Sequence, residues 1–217
     1  MTHFYDPRQR DPSISRRPQN RQGEPWIHEV LLRNRIGRVA TLWQGEDGEA
    51  FPFITPLAYA YRPAHHDLVY HTNVVGRLRA NTDQAAPARS GDGVRATFEV
   101  SEIGALLPSN SPLELTVQYR SVIVFGRARR LEDPAEQQQA LEALCAQAFP
   151  DLRPEQEMRP ISAADLARTS VFSLAIDHWS GKENWKDSAI QDEGWPPLAP
   201  GLASPRPSHP SEGTVSR

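Results

Sequence analysis

The sequence predicts a mainly β fold with peripheral helices, an antiparallel barrel either closed or split. Three observations carry this. β-rich runs recur from residue 37 to residue 176, separated by short polar turns. Helical patterns flank these runs more than they alternate with them, so few β-α-β units can form. The order α-β-β-β-α-β-β-α-α-β is therefore rich in hairpins, which barrels use to hide their edges.

Each element has its own signal. Trp26, Ile27, Val30, Leu31 and Ile36 recur near helical spacing, and Glu24-Pro25 opens that helix, which should end near Asn34. Residues 37–43 read as a strand that stops at Gly45-Glu46-Asp47-Gly48, a hairpin turn. Phe51 to Tyr61 resumes the sheet, with Pro52 and Pro56 placing part of it at an edge or bulge. After a polar turn from Arg62 to Asp67, Leu68 to His71 forms a third strand. Val74 to Asn81 reads as one or two helical turns, and residues 83–93 as an inserted loop. Strands follow at 94–100 and 115–131, the second with Gly126 as a bulge. Asp133-Pro134 opens a helix to Phe149, with Cys145 on its apolar side. Ser162 to Asp165 resembles a capping box, and Ser170 to Ile176 is the last strand.

The 217 residues suit one domain, taken as 25–195, between an arm at 1–24 and a disordered tail at 196–217. The polar, Pro-rich arm is either disordered or draped over a partner subunit, with Phe4 and Tyr5 as anchors. One cysteine allows no internal disulfide and no Cys-pair zinc signature. A formal charge of −3 argues against a dedicated nucleic-acid binder. No stretch is apolar enough to span a bilayer and no signal core precedes the domain, so the expected location is the cytoplasm.

Candidate chemistry gathers at Tyr70-His71-Thr72-Asn73-Val74-Val75-Gly76-Arg77. A histidine ends the strand, and Gly76-Arg77 opens a helical segment whose amides and cation suit an anion. A structural strand-end histidine would read the same way. Arg38-Val39-Ala40-Thr41 puts Arg38 and Ala40 on one face, Val39 and Thr41 on the other. In Trp179-Ser180-Gly181-Lys182-Glu183-Asn184-Trp185, Trp179, Lys182 and Asn184 could stack on a planar ring and bond its edge. Packing of Trp179 as a plug on the barrel is the alternative. Tyr119-Arg120-Ser121 offers less, and His65-His66 has no third metal ligand nearby, so no metal is expected.

Together these blocks resemble a known family. Arg38-Val39-Ala40-Thr41-Leu42, then Pro52 to Leu57, is similar to the opening of the pyridoxamine-phosphate-oxidase-like, FMN-binding split barrels. Tyr70-His71-Thr72 and Gly76 to Asn81 resemble its next block. The Trp179 to Asn184 run and the opening Phe4-Tyr5-Asp6-Pro7 resemble the subgroup of 5-nitroimidazole antibiotic resistance proteins called Nim, in its deinococcal form. The resemblance implies a six-stranded split β-barrel, a homodimer with sites at the subunit interface, and reduction of a small aromatic nitro compound to an amine. It implies His71 as the key residue, able to carry covalent pyruvate. It implies FMN held by Arg38, Val39, Ala40, Thr41, Tyr70, Thr72, Gly76 and Arg77, with haem as the alternative cofactor of a non-catalytic module. The extra basic residues that vitamin B6 oxidases use for the substrate phosphate have no counterpart here, which argues against that reaction. Nitro reduction needs several electrons and protons, so a redox cofactor or cosubstrate must supply them.

Overall fold

The structure, a computed structural model, describes residues 10–85, 93–153 and 156–209. The proposed anchors Phe4 and Tyr5 and the final residues 210–217 lie outside the described residues.

Strand β1 (Arg21–Gln22) precedes helix α1 (Glu24–Arg33), which carries Pro25 in its first turn and buries Ile27, Val30 and Leu31 along one face. Asn34 ends it by donating from Nδ2 to the Val30 carbonyl at 2.9 Å. Strands β2 (Ile36–Gln44) and β3 (Ala50–Arg62) form the expected hairpin, and Gly48 takes the left-handed conformation its turn requires, at φ +86°. Then come β4 (Asp67–Asn73), α2 (Arg77–Ala85), β5 (Val94–Leu107), β6 (Thr116–Arg130), α3 (Pro134–Ala148), α4 (Ala163–Ala167) and β7 (Thr169–Asn184).

Every pairing is antiparallel, and the order is β1-β7-β4-β3-β2-β5-β6. A further β7–β6 pairing closes six of the strands into a barrel, the split-barrel architecture expected. Closure is possible because β7 is long: Thr169–Ala175 pairs with β4 on one side, while Phe172–Asn184 pairs with β6 on the other. The wall opens beside β3, where β4 pairs only with Tyr59–Arg62. Pro52 and Pro56, without N–H donors, sit on that unpaired stretch.

Several boundaries differ from the sequence reading. Strand β5 runs on to Leu107, past the end read at Val100, because β6 continues to pair with it to Thr116. The last strand does not stop at Ile176. The β6–β7 register shifts between Phe125 and Gly126, Asp177 is the extra residue, and His178–Asn184 carry the pairing on. The bulge expected at Gly126 is thus opposite it, on β7. Helix α2 begins at Arg77, not Val74, because Asn73 holds a turn: its carbonyl accepts from Gly76 N–H at 2.9 Å and its side chain from Val75 N–H at 3.0 Å. The helix then extends through Ala85 into the stretch read as a loop. Residues 196–209 follow the body of the protein, and Arg206 and Leu106 exchange backbone hydrogen bonds at 2.8 and 2.9 Å.

The core has two parts. Inside the barrel, Tyr59, Tyr70, Phe98 and Phe172 interlock with centroids 5.0 to 6.0 Å apart, each ring pair adding ~0.5–1.5 kcal/mol to simple burial. Outside, α3 lays Ala140 and Leu144 over Ala60, Val69 and Val171; Cys145 is only partly buried beside them. Asp133 caps α3 and Ser162 with Asp165 forms the capping box, as expected. Among the described residues no helix is long and apolar enough to cross a membrane.

Candidate functional site

Strand alternation decides what each predicted residue can do. In β4, Leu68 and Tyr70 face the barrel interior, while Val69 and His71 face outward. His71 sits opposite Val171, beyond the end of the β3–β4 pairing. Its edge is open to solvent, yet the surrounding protein desolvates it and lowers its pKa, so it is neutral at pH 7. Tyr70 is wholly buried between Phe98 and Phe172; burial raises its pKa and its hydroxyl has no partner among the described residues. Gly76 is needed for a local reason. A Cβ there would meet Thr72 Oγ1 at 2.6 Å and the Asn73 carbonyl oxygen at 3.0 Å. The glycine therefore admits Thr72 to a tight turn, where the sequence suggested room for a ligand. Arg77 opens α2 with its side chain exposed.

The β2 block divides by face. Val39 is fully buried, and Thr41, also inward, accepts from Asn81 Nδ2 at 3.0 Å, tying α2 to the barrel. Arg38 faces outward and pairs with Glu99 at 3.0 Å; Ala40 shares its face. The β7 block divides likewise. Trp179 packs against the core, edge-on to His28, His66 and Tyr61 at 5.1, 4.8 and 6.3 Å. Asn184 spends its amide on Thr116 Oγ1 and the Val117 carbonyl. Lys182 lies over the Tyr119 ring at 5.6 Å. Among the described residues no group of three or more His, Cys, Asp or Glu side chains stands close enough to share a metal ion.

The structure brings Ala40 and Thr41, with Leu42 and Pro52 of the quoted blocks, into a groove whose arginines, Phe125 and His178 the sequence reading did not single out. It holds about 780 Å³ on the outer face of β2, β5 and β6. Ala40, Leu42, Thr97 and Phe125 line it, with Arg95, Arg127 and His178 as its cationic or titratable donors. The bulge at Asp177 aims a carboxylate at Arg127 Nε, 3.5 Å away. Asp11 and Pro12 of the arm complete the wall, and hydrogen bonds from Ser13 hold the Asp11 carboxyl below its ordinary range. An apolar floor with an aromatic ring suits a planar heterocycle, and the arginines suit a phosphate. The missed signal was alternation: Phe125 and Arg127 share the outward face of a strand whose Val122 and Val124 face in. His71 does not line this groove; β3 stands between its strand and β2.

A six-stranded antiparallel barrel with this open wall and a groove on its outer face belongs to the split-barrel class. Residues 24–183 match the family described as pyridoxamine 5'-phosphate oxidase, and the chain belongs to that family. Among solved structures it is similar to the flavocytochrome Anf3 of Azotobacter vinelandii, at 21% identity and a TM-score of 0.72, covering 96% of this chain and 91% of that one. The FAD and haem binding protein of Mycobacterium smegmatis aligns at 22% identity and TM-score 0.61, covering 84% and 96%. A proposed 5-nitroimidazole antibiotic resistance protein of Bacteroides thetaiotaomicron aligns at 16% identity and TM-score 0.53, covering 74% and 84%. These likenesses are of fold. No curated protein matches the chain in sequence.

Proposed function

We propose that this chain is a flavin-binding oxidoreductase whose substrates are small nitroaromatic compounds of the 5-nitroimidazole kind. The observation that carries the flavin reading is the 780 Å³ groove, with Phe125 and Ala40 beneath and Arg95 and Arg127 at its border. When bound, a flavin supplies the electrons that no side chain here can store. The groove's residues would seat the ring on Phe125, offer the Thr97 hydroxyl to its edge, and hold its phosphate on Arg95. The nitro substrate rests on the Nim-like blocks quoted above. His71, held neutral, suits a nucleophile or proton acceptor, which favours a role as covalent anchor for pyruvate over one as proton donor.

The partner is a second copy. Leu42 and Pro52 border the groove, and Ile36 and Ile54 extend the same outward face, Ile54 being 61% exposed. Two barrels meeting on this face would cover each other's grooves and exclude water. Haem is the second reading, and His178, inside the groove, is the residue that favours it.

One experiment separates these. The spectrum of the purified protein, freed of unbound small molecules, should show a band at ~450 nm for a flavin, whereas haem gives a band at ~400 nm. An Arg95→Glu variant should bind flavin at least about tenfold more weakly. Flavin affinity unchanged by that substitution would sink the groove assignment. A loaded protein that leaves a 5-nitroimidazole unreduced with every electron donor, and no mass added at His71, would sink the nitro reading alone.

A further inference from the structure

A second groove lies under the N-terminal arm, next to the first. Pro12 lines both. So does the outward face of the β6–β7 seam: Phe125 and His178 pair in the first groove, Ile123 and Ser180 in the second. The second holds about 550 Å³. Its charge is one-sided. Arg10, Arg16, Arg17, Lys182 and Lys186 line it against a single carboxylate, Glu114, in a chain whose formal charge is −3.

The cations' surroundings matter more than their number. On the rest of the surface arginines are mostly paired with carboxylates, as Arg33 and Arg120 are with Glu102, Arg129 with Glu136 and Arg159 with Asp165. Arg16, Arg17, Lys182 and Lys186 have no carboxylate in ion-pair range among the described residues. Folding brings the first two, on the arm, against the other two, on and just past β7. β1 forces this, because Arg21 pairs with Lys182. Like charges gathered in a concave site repel more than on open surface, and a bound anion relieves that repulsion. Neutral donors lie among them. Tyr119 accepts from Asn20 Nδ2 at 3.2 Å, which leaves its own hydroxyl proton free to donate, and Ser180 and Ser188 line the groove. One rim is aliphatic: Leu113 is 92% exposed, with Ile14 and Ile190 beside it.

We infer that this groove binds the pyrophosphate of a nucleotide, with the arm as a strap across it. Arg16, Arg17, Lys182 and Lys186 neutralise the phosphates, Tyr119 donates to an oxygen, and the Leu113 rim packs on the base. The site is separate from the flavin groove and stands whether or not a flavin occupies that groove.

Calorimetric titration of the full chain with inorganic pyrophosphate, ADP and adenosine tests this. Pyrophosphate and ADP should bind and adenosine should not. Affinity should fall at least about fivefold when salt rises from ~50 to ~200 mM, as charge-driven binding requires. Arg16→Gln with Arg17→Gln should weaken pyrophosphate at least about tenfold, while Arg129→Gln, distant and paired, should not change it. Limited trypsin digestion gives a readout without substitutions. Cleavage after Arg16 should slow several-fold when pyrophosphate saturates the protein. Absence of pyrophosphate binding at low salt, equal affinity in the double variant, or unprotected cleavage would each overturn the inference.

Discussion

Replacing Glu102 with glutamine removes the charge on which α1, β5 and β6 converge. Its carboxylate accepts from Arg33 Nε at 2.7 Å, Asn34 Nδ2 at 2.8 Å and Arg120 Nη1 at 3.3 Å. Arg120 passes the network to Glu183, which also accepts from Trp26 Nε1 at 3.0 Å. The hydrogen bond from Arg33, ahead of those from Asn34 and Arg120, takes the Glu102 pKa from an ordinary 4.5 to about 2. One pK unit corresponds to ~1.36 kcal/mol, so that depression caps the charge's worth at about 3 kcal/mol. The side chain is 22% exposed, and screening reduces the expected loss to about 2 kcal/mol. The sign follows from proton binding. The unfolded chain takes up a proton near pH 4.5 that the folded chain refuses until about pH 2, so the stabilisation is full above 4.5 and lost on descent to 2. Urea unfolding of wild type and Glu102→Gln should therefore differ by about 2 kcal/mol at pH 7 and converge as the pH nears 2.5. A gap below about 0.5 kcal/mol at pH 7, or one unchanged by acid, would refute the reasoning.

Two further outcomes follow from single atoms. Gly126→Ala places a Cβ 2.0 Å from the Ala175 carbonyl oxygen, a backbone atom that cannot step aside. The β6–β7 seam must part, so thermal unfolding should show a loss of about 3 kcal/mol or more, with flavin binding falling alongside; wild-type stability would contradict the placement of the bulge. His71, with its pKa depressed by desolvation, takes up its proton more readily unfolded, so it costs stability as pH falls below 6.5. His71→Asn should flatten the pH dependence of stability between about 6.5 and 5; an unaltered profile would show that the imidazole is not desolvated.

The sequence by itself determined the parts whose signal is local. The turn at Gly45 to Gly48 and the Asp133 and Ser162 caps are short-range patterns, and each lies where the sequence put it. The barrel followed, because its order of hairpins admits few other closures. The extent of β7 was decided only in three dimensions. Nothing near Ile176 in sequence tells that Asp177 is squeezed out so that His178–Asn184 can continue along β6. The same holds for the site. Tyr70 and Thr72 neighbour His71 in the chain but face the other way, Gly76 answers to Thr72, and Trp179 is held by His28, His66 and Tyr61. The groove instead gathers Ala40, Arg95, Phe125, Arg127 and His178 from four strands. A period of two says which residues share a face of one strand. Only the register between strands, fixed by the closed barrel and the bulge at Asp177, says which faces meet.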